Sequence, residues 1–197
     1  ARHANPLTLL PGNIPIQQCL QRLLERGVDA QLCYIDLDNF KPFNDLYGYG
    51  KGDEILLGLA QLLRELCDPR CDFVGHIGGD DFILVMQSDD WRERLNSLDN
   101  RFQQLCRTLY RAEHLQSRSF TAPDREGRWR SHDLLNLSIG ILPLIGSRAR
   151  QFDPARLAEL ASRAKHEAKR QRGFSLVIQD LPIDGLDDSE RHLNLCS

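Results

Sequence analysis

Two acidic pairs in this chain stand beside apolar runs. Gly78-Gly79-Asp80-Asp81 separates residues 73–77 (FVGHI) from 82–86 (FILVM), and Asp36 and Asp38 follow the apolar start of residues 32–37 (LCYIDL). Flanks rich in β-branched and aromatic residues read as strands, and a glycine-containing joint between them reads as a hairpin, because glycine supplies the positive φ that tight turns require. That explains the glycines but not the adjacent carboxylates, since like charges side by side repel unless something positive lies between them. A divalent cation removes the repulsion. Magnesium takes one or two protein carboxylates and fills its shell with water and substrate phosphates, and the glycines let a large phosphate-bearing ligand approach the turn. Taken by itself, GGDD reads first as a solvated acidic turn.

The rest of the chain must bring those carboxylates together. Residues 16–26 read as an amphipathic helix ending at Gly27, and residues 32–37 as a buried strand. A helix follows from about Asp53, with Ile55, Leu56, Leu59, Leu62, Leu63 and Leu66 at helical spacing. After the hairpin, Leu95, Leu98, Phe102, Leu105 and Leu109 mark another helix. Residues 111–131 are polar, contain Pro123 and Gly127, and read as an irregular loop. Residues 134–142 read as a strand, 153–172 as a helix and 174–178 as a last strand. The polar stretch 181–197 is expected to be a poorly ordered tail after a single domain spanning 1–180. The first six elements follow the βαββαβ order of a ferredoxin-like α+β fold, with one helix and one strand added. In such a sheet the first strand lies next to an arm of the hairpin, so Asp36 and Asp80 can converge, whereas Asp38 is expected beyond the strand end.

Composition narrows the classes. The 197 residues are 41% hydrophobic and 27% charged, ordinary values for a globular domain able to bury its own core. A formal charge of -3 and a pI near 6.1 argue against a general DNA or RNA binder. No apolar run approaches bilayer-spanning length, so membrane contact is not expected, and ARHANP lacks the order of a secretory signal. The six cysteines (Cys19, Cys33, Cys67, Cys71, Cys106, Cys196) are scattered and form no zinc pattern, which suits reduced thiols in a cytoplasmic protein.

Beyond Asp36 the motifs accumulate: PLTLLPGN (6–13), DLDNFKPFND (36–45), GYGKGD (48–53), GGDDF (78–82), LSIGI (137–141) and AKHEAKR (164–170). In this order and spacing the chain resembles the GGDEF family of diguanylate cyclases across residues 5–178. Its opening and HIGGDDF resemble GGDEF domains that follow CBS or EAL modules. The resemblance implies a palm-like fold, condensation of two GTP into cyclic di-GMP with release of pyrophosphate, and dependence on Mg²⁺ or Mn²⁺. It also implies a homodimer in which two GTP-loaded domains face each other, with regulatory modules upstream. Carried over by position, Asp36, Asp80 and the Leu37 carbonyl are metal ligands, and Asp36, Asp80 and Asp81 are the catalytic carboxylates. Asn39, Phe40 and Lys41 bind phosphates at a helix start; Gly78 and Gly79 also border the substrate; Lys169 reaches the terminal phosphates; Asn44 and Asp53 read guanine. Asp53 could otherwise be a helix N-cap, and Asn44 a turn residue.

The pattern breaks in places. Asp81 stands where the family has glutamate, one methylene longer, and His76 where arginine is frequent. Gly173 falls on the family's basic residue after the helix lysine, with Arg172 one position off as a substitute. In the product-inhibition frame Pro69-Arg70-Cys71-Asp72, proline replaces the arginine, and proline cannot bind guanine edges or phosphate, so no ordinary feedback site is expected. Two other functions compete: a GTP-binding module with little chemistry that regulates an attached signalling domain, and a purely structural dimerisation domain, which leaves the acidic hairpin unexplained.

Overall fold

The computed structural model describes residues 3–183. Its apolar runs form β1 (Ala30–Asp38), β2 (Phe73–Gly78) and β3 (Asp81–Met86), with β6 (Asn136–Leu144) and β7 (Ser175–Ile178) later in the chain. Two shorter strands, β4 (Ser119–Pro123) and β5 (Trp129–Asp133), pair separately. The main sheet has the order β2-β3-β1-β6-β7, antiparallel except for the β6–β7 edge. This is the ferredoxin-like arrangement with one added strand.

Strand periodicity divides the core. Cys33, Ile35 and Leu37 of β1 face α3 (Tyr49–Leu66) and α4 (Trp91–Arg107), packing with Leu59, Leu63, Leu98 and Phe102. Alternate residues Ala30 and Leu32 face α1 (Asn13–Arg26) and α7 (Pro154–Lys169), packing with Leu20, Leu24, Leu157 and Leu160. Asp36 belongs to this second series, so it points toward the α7 layer. α1 ends where expected, at Gly27 with φ +62°, and α7 starts at Asp153, whose side chain accepts from the Arg156 N–H at 2.7 Å.

Three sequence expectations need correction. The helix expected from Asp53 starts at Tyr49 and follows a separate helix, α2 (Phe40–Tyr47). Gly50 and Gly52 weaken the local helical signal, yet the buried side of Ile55, Leu59 and Leu63 carries the helix back through them. Residues 111–131 are not a loop: α5 (Ala112–Ser117) leads into the β4–β5 hairpin. Those strands are short and polar, and what holds them is remote: Phe120 and Ala122 are buried, with Phe120 beside Tyr47 and Tyr110. Asp38 is inside β1, opposite Asn136, rather than beyond its end. A short helix, α6 (Gly146–Ala149), completes the elements.

The tail expectation lies outside the described residues from 184 on, as does Cys196. The five described cysteines are free thiols, and no described helix is long and apolar enough to cross a membrane.

Candidate active site

The β1–β3 ladder ends at Ile35 opposite Phe82. One step further along each strand lie Asp36 and Asp81, and the two-residue turn Gly79-Asp80 closes the hairpin beside them. Gly79 has φ +53°, and a Cβ there would meet nothing, so glycine is required by the turn and leaves open space over it. One carboxylate oxygen from each of Asp36, Asp80 and Asp81 lies within 4.8 Å of the others. Asp36 is 5% exposed. Burial, and then the charge and hydrogen bond of Asp36, push the Asp80 carboxyl up to about 6. These hard oxygens suit Mg²⁺ or Mn²⁺. Asp36 Oδ1 is buried with the Lys169 ammonium against it, so an ion would reach that oxygen only by displacing the lysine. Leu37 follows within β1.

Two ammonium groups from α7 face this cluster. Lys165 Nζ lies 3.0 Å from Asp36 Oδ2 and 3.0 Å from Asp81 Oδ1; Lys169 Nζ lies 2.7 Å from Asp36 Oδ1. Burial works against the Lys165 charge, but Asp36 and Asp81 outweigh it and hold its pKa above the ordinary value. Lys165 was not anticipated from the sequence, although it is the charged member of a stripe whose buried residues include Leu157, Ala161, Ala164 and Ala168. Such a position opposite a strand bearing Asp36 is the signal that could have found it. Asp38 takes a different partner, the Ser138 hydroxyl at 2.8 Å, and burial pushes its carboxyl up to about 6.

His76 braces the acidic turn. It is 1% exposed and stacks on Phe82 with ring centroids 4.0 Å apart. The Gly79 carbonyl, 2.8 Å from Nε2, can only accept, so Nε2 carries the proton and Nδ1 accepts from the Thr8 hydroxyl at 2.9 Å. Burial lowers its pKa, in keeping with a neutral imidazole.

Asp72 is also committed within the fold. Its buried carboxylate accepts from the Asp68 and Gln87 N–H groups and from Arg94, each at 2.9 Å. Asp72→Ala is expected to lower stability by about 3 kcal/mol, since it strands two amides and part of a buried ion pair; the urea midpoint at constant m-value measures it.

Other motif residues follow the C-terminal end of β1, the end that carries Asp36. Asn39 caps α2 at φ +63°, placing Phe40 and Lys41 in its first turn. The exposed Lys41 pairs with Asp45 at 2.7 Å. Asn44 packs against Gly52, where an added Cβ would lie 1.8 Å from Asn44 Oδ1; that oxygen is buried and has no hydrogen-bond partner among the described residues. Asp53 is exposed within α3 and is therefore not its N-cap. A cavity of about 400 Å³ lined by Asp38, Asn39 and Lys169 opens here. Arg172 lines the same cavity, paired there with Asp133 at 2.6 Å.

The chain matches the family described as "Diguanylate cyclase, GGDEF domain" over residues 3–174. It is 48% identical over 58 residues to diguanylate cyclase DgcM of Escherichia coli K12, covering 29% of this chain and 14% of that protein. To diguanylate cyclase DosC of Shigella sonnei it is 30% identical over 145 residues, 74% of this chain and 27% of that one. The chain thus spans less than a third of either relative. Among solved structures, the GGDEF domain of TpbB (YfiN) from Pseudomonas aeruginosa shares the fold with a TM-score of 0.63 at 23% identity, over 98% of this chain and 99% of that one. The family match spans the acidic turn, the α2–α3 segment and α7, and the chain belongs to the GGDEF family of diguanylate cyclases.

Proposed function

We propose that this domain condenses two GTP into cyclic di-GMP, releasing two pyrophosphates, with Asp36, Asp80 and the Leu37 carbonyl holding Mg²⁺ or Mn²⁺. The observation that carries the reading is the convergence of Asp36, Asp80 and Asp81 beside an open turn. An ion held there would polarise phosphoryl oxygens and would make the attacking hydroxyl more acidic. In each of two identical steps a 3′-oxygen of one nucleotide bonds to the α-phosphorus of the other, and pyrophosphate leaves.

The protein's own residues orient the reactants. N–H groups of the first turn of α2, from Phe40 and Lys41, receive the β- and γ-phosphates, where the helix dipole favours negative charge. Lys169, one-third exposed, exchanges Asp36 for a terminal phosphate oxygen. Asp81 takes the proton lost by the attacking hydroxyl. Asn44 and Asp53 read guanine, Asp53 accepting from N1–H and N2–H₂, a donor pair adenine lacks. Each copy holds one GTP, so two must face each other, and turnover per chain rises with chain concentration. The length of the relatives supports a setting beside regulatory modules.

Asp53→Ala tests the specificity half of this reading. The side chain is exposed, so folding is unaffected, and GTP affinity is expected to fall about 10- to 100-fold while ATP affinity stays constant. Competition binding of the two nucleotides measures it. Equal losses for both remove Asp53 from base recognition.

A second reading rests on the Asp81–Lys165 ion pair, which occupies the shortened carboxylate. On this reading the domain binds GTP but forms no product, and GTP acts as the signal.

A further inference from the structure

Resting on the GTP-condensing reading, the placement of Lys165 bears on how many ions this site can hold. Its ammonium lies 3.0 Å from both Asp36 Oδ2 and Asp81 Oδ1, the two oxygens a second cation bridging these carboxylates would use. Carboxylate oxygens bind Mg²⁺ at about 2.0–2.1 Å, so an ion on this pair would sit against the ammonium, beside the buried Asp36.

Lys165 has no easy retreat. Its side chain is 6% exposed and passes over the Tyr34 ring, with Nζ 4.4 Å from the centroid. Its backbone is held too: α7 lies so close on β6 that a Cβ at Gly140 would meet the Lys165 nitrogen at 2.1 Å. Lys169 differs. It is 33% exposed, sits in the last turn of α7 and touches only the other oxygen of Asp36. It can leave for a phosphate, and its departure frees Asp36 Oδ1 beside Asp80. The acidic cluster therefore has a side open to an ion, between Asp36 and Asp80, and a side already filled by a fixed positive charge, between Asp36 and Asp81.

We infer that Lys165 is a resident cation that takes the place of a second divalent ion, so that the nucleotide-loaded site holds one ion together with one ammonium. The same contact gives the short Asp81 a fixed partner, which sets the position of its carboxylate without a metal.

Counting bound ions tests this independently of turnover. The chain is loaded with 3′-deoxyguanosine triphosphate, which cannot condense, and titrated with Mn²⁺, free ion being read by electron paramagnetic resonance. The wild type is expected to retain about one Mn²⁺ per nucleotide-loaded chain, and Lys165→Met, unbranched and uncharged, about two. Should the variant fail to fold, anomalous diffraction from the Mn²⁺-loaded wild type decides: a single peak between Asp36 and Asp80 supports the inference. Two ions on the wild type, or an equal count in both proteins, overturns it while leaving GTP binding intact. Failure of the wild type to retain any nucleotide overturns the underlying reading and the inference with it.

Discussion

Asp80→Asn is expected to reduce cyclic di-GMP formation by at least about a thousandfold, the scale on which enzymes lose rate when charge stabilisation of the transition state is removed. The same change is expected to stabilise the ligand-free protein at pH 7.5. The Asp80 carboxyl has a folded pKa of about 6 against 3.8 for the free side chain, chiefly through burial and then through Asp36. A carboxyl whose folded pKa is raised keeps its proton longer in the native state, so its penalty is absent below the unfolded value and grows as pH rises through about 6. Asparagine removes the charge and hence the penalty. The shift corresponds to roughly 3 kcal/mol at most, and partial solvent screening reduces the expected gain to about 1 kcal/mol. It should disappear as pH falls toward 4. Thermal melts at pH 7.5 and pH 4.5, run beside product assays, would show opposite movements of stability and rate. A variant that loses both together points instead to a collapsed turn.

Gly140→Ala is expected to cost about 3 kcal/mol and to abolish nucleotide binding along with it. Gly140 lies in β6 between Tyr34 of β1 and Val177 of β7. An added methyl carbon would lie 2.1 Å from the Lys165 nitrogen and 2.4 Å from the Ala161 carbonyl oxygen, both backbone atoms of α7. Backbone cannot swing aside as a side chain can, so the whole helix must lift. Lifting it carries Lys165 and Lys169 away from Asp36 and opens the apolar layer around Leu157 and Leu160. The urea midpoint reports the stability loss and a fluorescent GTP analogue the binding loss. Wild-type values for both would mean that α7 is not seated by this contact.

The meeting of Asp36 with the acidic turn was legible because two simple rules suffice for it. Short apolar runs rich in β-branched and aromatic residues marked the strands, and the βαββαβ order placed the first strand beside the hairpin; the observed register then needs only the pairing of Ile35 with Phe82 to bring the carboxylates together. Side chains answering to remote partners were not legible. Lys165 reads as a solvated helix lysine until α7 is laid on the face of β1 that carries Asp36. Asp72 reads as the remnant of a regulatory motif until Arg94, 22 residues away, is seen to reach it. The β4–β5 hairpin shows little apolar alternation because its stability comes from Phe120 and Ala122 alone on its buried side. Asp53 looked like a helix start because the glycines before it hide a turn of helix that tertiary packing imposes.

The most direct measurement is chemical. Purified protein, concentrated enough for two copies to meet, is incubated with GTP and Mg²⁺, and the products are resolved by chromatography with pyrophosphate counted in parallel. Cyclic di-GMP with two pyrophosphates for each molecule formed, absent when ATP replaces GTP, is the expected result. GTP recovered intact from a solution in which it is demonstrably bound would contradict the cyclase reading and leave a nucleotide-sensing domain in its place.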